Sequence, residues 1–236
     1  MKVIQNYIAE KQRFFTDHVF FRRLAETPEL EALAPFALDL SFWVMSFQDI
    51  LRLNETRVSD AALRKIARHH RAEDSGHDRW FISDLALLGL SQPDMRTLFD
   101  KEHEATRHAS YQLVSEVFQA QNDFARIALL LTLESSGHVF FESTASYFER
   151  LGDARDLKYF SRFHLEIEKK HAMFEKQMDD YLGAIALDEE TREQCLRLVD
   201  RCYDAFNVIF DNVDRRFDAR VKMLVATTNR GEEAVN

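Results

Sequence analysis

Glycine and proline are scarce in this chain, with six glycines and three prolines among 236 residues. Sandwiches, barrels and propellers use these residues at their many turns, so this composition excludes a many-stranded β-fold. Apolar residues instead recur with the period of an α-helix almost everywhere. The sequence therefore predicts an all-α fold: a single multi-helical bundle of about seven to eight helices over residues 1–223, followed by a polar tail over 224–236.

The few glycines and prolines fall where helices are expected to end. Together with N-cap residues such as Ser59 and Ser91 they divide the chain into long helices joined by short connections. The predicted helices cover residues 3–25, 35–54, 60–88, 93–120, 123–151, 154–186 and 189–223.

Charge and cysteine content limit the partners and the compartment. The net charge of −9 argues against nucleic acid or an anionic membrane surface as a partner, because both require a cationic face. No apolar run is long enough for a transmembrane helix, and the charged N-terminus does not resemble a signal peptide. Cys195 and Cys202 lie too far apart on one helix to form a disulfide, so they are expected to be free thiols in a reducing cytoplasm.

Histidines and acidic residues are grouped at helical spacing in two segments. On a continuous helix His164, Glu168 and His171 would share one sector of about 60°. The set His70, Glu73 and His77 would share another such sector. Metal ions require several nitrogen and oxygen donors that converge from one side, and this spacing supplies them.

Glu134 interrupts the most apolar stretch of the chain, IALLLTLESSGHVFF. We expect its carboxylate to be buried, so that it must be protonated, be paired with a cation or bind a metal. His138 and Glu142 extend the same helix face. Gly137 would allow a ligand or another helix to approach closely.

Two arrangements could combine these features, and each cluster alone could also be an ordinary solvated ion pair. In a ferritin-like di-iron bundle, Glu168-x-x-His171 would be one Glu-x-x-His motif and Asp74-x-x-His77 a weaker second copy. That arrangement leaves His164 unused.

The second arrangement accounts for more of the residues. The order His77, Glu134 and then His164-x-x-x-Glu168-x-x-His171 resembles the heme-oxygenase-like di-iron oxidases, over nearly the whole of residues 1–223. In those relatives a carboxylate stands seven residues before the first histidine, whereas this chain has His70 there. Glu73 could take that role.

This resemblance implies an iron-dependent oxidase or oxygenase that activates O₂ and acts on a small, partly apolar organic substrate. It also implies one or two irons, Glu134 and His164 in catalytic roles, and a homodimer. The implied metal ligands are His70 or Glu73, His77, Glu134, His164, Glu168 and His171. Aromatic residues are candidate pocket walls: Trp43, Phe47, Phe140, Phe141, Phe160, Phe163 and Phe174.

Two alternatives stay open. The first is a metal-free enzyme or small-ligand-binding protein of the same fold, similar to the TenA-type thiaminases or the cofactor-free oxidase of pyrroloquinoline quinone synthesis. The second is a helical interaction protein that is not an enzyme, in which the histidines and carboxylates would face solvent on outer surfaces.

Overall fold

The computed structural model describes residues 1–26, 36–152, 155–170, 178 and 180–233, with the side chains of 168–170 and 220–233 excepted. Eleven α-helices and one 3₁₀ turn form this part of the chain, which has no β-strand. The predicted all-α class is confirmed. The helices are α1 (Lys2–Thr16), α2 (Val19–Glu26), α3 (Phe36–Asp39), α4 (Ser41–Arg57), α5 (Ala61–Glu73), α6 (His77–Leu87), α7 (Met95–Phe99), the 3₁₀ turn (Lys101–His103), α8 (Glu104–Gln119), α9 (Asp123–Arg150), α10 (Arg162–Lys170) and α11 (Glu189–Glu233).

The predicted helix over 60–88 is in fact two helices, and this difference matters most for the site. Helix α5 ends at Glu73 and α6 begins at His77. Between them Gly76 adopts a φ of +96°, a conformation that a side chain rarely tolerates. Gln48 of α4 donates a hydrogen bond to the backbone oxygen of Asp74 (2.5 Å) and fixes this turn. The prediction that His70, Glu73 and His77 share one continuous helix is therefore wrong.

Other helix boundaries differ for identifiable reasons. The predicted helix over 3–25 is interrupted between Thr16 and Val19. Helix α10 begins only at Arg162, because the backbone N–H groups of Lys158 and Phe160 bond to Asp84 rather than to a preceding helical turn. Helix α11 continues to Glu233, beyond the predicted end at 223.

Helix α9 is the central element of the core. Asn122 caps it by accepting a hydrogen bond from the N–H of Ala125 (2.9 Å), and α1, α2, α10 and α11 pack around it. By length and composition it could cross a membrane, the one such helix in the described part of the chain. More than half of its most apolar window is buried against these neighbours, as expected for the core helix of a soluble protein.

Helix α11 closes the bundle against α1, α8 and α9. Its Cys195 and Cys202 are buried and free, as predicted, and burial raises the pKa of Cys195 to about 11. Arg201 of α11 donates two hydrogen bonds, at 2.8 and 2.7 Å, to the carboxylate of Glu116 of α8, which is 2% exposed. This ion pair joins the two helices at the edge of the core.

Candidate metal centre

The turn between α5 and α6 places one carboxylate between two histidines. Asp74 Oδ2 lies 3.1 Å from Nε2 of His70, and its Oδ1 lies 3.1 Å from Nδ1 of His77. Burial by itself would raise the pKa of Asp74, but the positive charge and hydrogen bonds of His70 and His77 outweigh it and hold that pKa well below its usual range. Asp74 is therefore ionised and orients both imidazole rings.

Glu134 approaches the same group from α9. Its Oε2 lies 3.8 Å from Nδ1 of His70, and one donor atom each from His70, Asp74 and Glu134 lies within 4.8 Å of the others. Two ligands on opposite sides of a metal bound at about 2.1 Å are about 4.2 Å apart, so a small side-chain rotation would let these three share one ion. The expected burial of Glu134 is wrong: its side chain is 43% exposed, because it faces a cavity.

His164 of α10 is fully buried, and a backbone carbonyl fixes its tautomer. Its Nδ1 lies 3.0 Å from the oxygen of Tyr159. A carbonyl oxygen only accepts hydrogen bonds, so Nδ1 carries a proton and Nε2 is the nitrogen left to bind a metal. The ring centres of His164 and His77 are 4.3 Å apart, which joins His164 to the group around Asp74.

Three predicted ligands remain, Glu73, Glu168 and His171, together with His138, which is predicted only to extend the face of Glu134. Glu73 Oε1 lies 2.8 Å from Nε2 of His69, so this carboxylate pairs with its own helix. His138 is exposed and lies 3.8 Å from Glu142. The side chain of Glu168 and the whole of His171 lie outside the described residues, so their roles stay predictions.

Asp74 is more important in the structure than the sequence predicts, because the sequence pattern includes it only in a weaker Asp-x-x-His motif. The sequence Asp74-Ser75-Gly76 is nevertheless a typical turn signal, which could have indicated that the helix ends there and that Asp74 points between its neighbours.

An apolar cavity opens beside the centre, with about 880 Å³ of empty space when its open mouth is included. Asp74, His77 and Glu134 form its polar end. Of the predicted wall residues, Phe160 is instead in the core and Phe163 is 46% exposed, while Phe174 lies outside the described residues. The aromatic residues that do line it are Trp43, Phe47, Phe140 and Phe141, which were predicted, and Tyr159, Phe206 and Phe210, which were not.

Gly137 lines this cavity in the middle of α9. A Cβ atom added there would lie 3.6 Å from the ring of Phe141, an ordinary van der Waals distance. Glycine inside a helix costs about 1 kcal/mol relative to alanine. The absence of a side chain therefore keeps space open in the cavity at a cost in helix stability.

We expect Gly137→Ala to raise the melting temperature by about 2–4 °C, because the helix gains alanine and nothing clashes. Gly137→Leu extends its side chain into the cavity and should weaken binding of an apolar fluorescent dye at least about tenfold. Thermal unfolding and dye titration measure the two effects. Unchanged dye binding by the leucine variant would show that ligands do not use the space beside Gly137.

Comparisons with known proteins establish the fold. No protein-family model and no curated protein matches the chain. The chain is similar to the crystal structure of a domain of unknown function with a heme oxygenase-like fold from Shewanella denitrificans OS217. The TM-score is 0.64, the identity is 15%, and the similarity covers 92% of each chain.

The chain therefore has a heme oxygenase-like fold, as the sequence resemblance implied. Within it, a group of histidines and carboxylates stands at one end of an aromatic cavity. At this identity the likeness concerns the fold alone, so the chemistry has to be argued from the site.

Proposed function

We propose that this protein is an iron-dependent oxidase or oxygenase that uses O₂ on a small, partly apolar organic substrate. The observation that supports it best is the convergence of His70, Asp74 and Glu134 beside the aromatic cavity. His77 and His164 adjoin this group. Glu168 and His171, which follow on the same segment as His164, are proposed as further ligands.

The donor set fits iron. Mixed imidazole and carboxylate ligands are used by non-heme iron enzymes and also by catalytic zinc sites, whereas purely oxygen ligands favour magnesium or calcium. Both cysteines are buried on α11 and are not among the residues that line the cavity. When bound, iron would supply the redox chemistry with O₂ that amino-acid side chains lack.

The side chains of this protein prepare the centre in three ways. Asp74 orients the rings of His70 and His77, and the Tyr159 carbonyl orients His164. The aromatic walls make most of the cavity lining apolar and would pack against the apolar part of a substrate. Glu134 is half-exposed to the cavity, so its carboxylate can contact a bound molecule and accept a proton from it.

One observation favours a second candidate, a metal-free enzyme or ligand-binding protein of the same fold. Asp74 already pairs with both His70 and His77, as side chains do when they satisfy one another without a metal. In that case the polar end of the cavity would hydrogen-bond an organic molecule. The remaining alternative, an interaction protein with these residues on outer faces, is disfavoured because His77 and His164 are 5% and 0% exposed.

The proposed setting is a cytoplasmic homodimer that binds a small molecule and has neither nucleic acid nor a membrane as a partner. The acidic net charge of −9 supports the last two points. The dimer rests on the resemblance to the di-iron oxidases.

Elemental analysis tests the proposal directly. The protein is produced with iron supplied, treated briefly with a chelator and assayed for metal per chain. We expect about one to two irons in the wild type and almost none in His164→Ala/His171→Ala. His138→Ala is the matched control, because His138 lines the same cavity but is exposed on its rim, and it should retain iron.

Iron in the wild type that is lost only from the double variant would justify a substrate search under O₂. Less than about a tenth of an iron per chain in the wild type would overturn the oxidase proposal. The metal-free alternative would then become the working hypothesis.

A further inference from the structure

Asp84 is a fully buried carboxylate that belongs to none of the proposed ligand sets. It lies on α6 and accepts hydrogen bonds from two backbone N–H groups of the segment before α10. Lys158 N lies 2.9 and 3.1 Å from its two oxygens, and Phe160 N lies 3.0 Å from Oδ2. Burial raises the pKa of Asp84, and these N–H donors oppose that rise by favouring its ionised form.

The bond from Phe160 connects Asp84 to the metal centre. The N–H of Phe160 and the carbonyl of Tyr159 belong to the same peptide group. In a trans peptide, these two point in opposite directions. On one side the N–H donates to Asp84, and on the other the carbonyl accepts from Nδ1 of His164 at 3.0 Å. One peptide group thus lies directly between the carboxylate and the imidazole.

We propose that Asp84 is a positioning residue for His164 and acts through the peptide between Tyr159 and Phe160. Metal-binding histidines commonly donate their second N–H to a carboxylate or a carbonyl, which fixes the ring and raises the basicity of the ligating nitrogen. Here a carbonyl makes that contact, and the carboxylate behind it polarises the peptide. Hydrogen bonds in such a chain strengthen one another in a low-dielectric interior.

The arrangement also sets the distance between two histidines. Helix α6 begins with His77 and carries Asp84 seven residues later, close to its other end. Since Asp84 holds the segment that aims His164, the same short helix determines where both rings lie. Their ring centres are 4.3 Å apart. That His164 binds metal rests on the proposed function, but the link from Asp84 to His164 through the peptide does not.

Nuclear magnetic resonance of the metal-free protein tests the link from Asp84 through the peptide to His164. In the wild type we expect His164 to be the Nδ1–H tautomer with a hydrogen-bonded, downfield Nδ1 proton. The Lys158 and Phe160 amides should be protected from exchange. Asp84→Asn keeps the shape but removes the charge and turns an amide NH₂ toward a backbone N–H, so the His164 proton should shift upfield. A wild-type spectrum with the other tautomer would overturn the proposal, even if the variant does not fold.

A matched variant separates positioning from simple destabilisation. Glu116→Gln makes the same carboxylate-to-amide change at a buried site in the α8–α11 contact. Both variants should lower the melting temperature, but only Asp84→Asn should move the His164 resonance.

Metal affinity gives a second readout, with Co²⁺ titrated as the probe. Asp84→Asn should bind about 10- to 100-fold more weakly than the wild type, and Glu116→Gln should bind like the wild type. If both variants shift the His164 resonance equally, or if neither shifts it, the proposed role of Asp84 is wrong. If Asp84→Asn shifts the His164 resonance but the wild type binds no metal, the link through the peptide is supported and the proposed function is not.

Discussion

Asp74→Asn is expected to leave less than about a tenth of the wild-type iron after chelation, whereas Glu73→Gln keeps nearly all of it. The two substitutions remove the same charge at adjacent positions and preserve side-chain volume. Asp74 contacts both His70 and His77 and shares the three-donor group with Glu134. Glu73 is paired with His69 instead. The difference in iron content therefore reports which carboxylate holds the metal.

Elemental analysis of the two variants beside the wild type makes this measurement, with circular dichroism to confirm that each is folded. Loss of iron from Glu73→Gln with retention in Asp74→Asn would contradict the geometry. It would instead support the prediction that Glu73 replaces the carboxylate that stands seven residues before the first histidine in the di-iron oxidases. Loss of iron from both variants would mean that metal binding requires the negative charge of both carboxylates.

Arg201→Met is expected to lower the free energy of unfolding by about 3 kcal/mol. Glu116 is 2% exposed, and Arg201 donates both of its hydrogen bonds to that carboxylate. Removing the guanidinium leaves a buried negative charge without its cation, which costs more than the pair itself contributes. The expected loss of stability is at the lower end of the range for breaking a buried ion pair, because the Arg201 side chain is 41% exposed and partly hydrated.

Urea unfolding measures this effect, and two further variants define its cause. Arg201→Met/Glu116→Met removes both charges and should recover most of the loss, since apolar residues replace a buried pair with little penalty. Arg52→Met breaks an exposed pair with Asp49 and should cost less than about 1 kcal/mol. A double variant as unstable as Arg201→Met would show that packing, rather than charge, causes the loss.

The fold class was predictable from the sequence, because helical periodicity and the scarcity of turn residues act along the whole chain. The ends of α9 were predicted almost to the residue, since Asn122 and Gly152 are strong local signals. Helix breaks such as the one at Gly76 were not predicted. A single glycine there ends a strongly periodic segment because tertiary contacts, including the bond from Gln48, stabilise the turn.

The site was predictable in part. The sequence indicated His70, His77, Glu134 and His164, and the structure brings these four near one another. It could not indicate that Asp74 would lie between two of them, because that depends on the turn. Nor could it show that Phe206 and Phe210 line the cavity, since apolar residues at helical spacing look the same whether they face a core or a ligand.

Helix α11 supplies Phe206 and Phe210 to the cavity wall, and it follows every proposed donor in the chain. A protein chain is synthesised from its N-terminus, so every proposed donor from His70 to His171 leaves the ribosome before these two rings do. The cavity wall is therefore completed only after the proposed donors have been made.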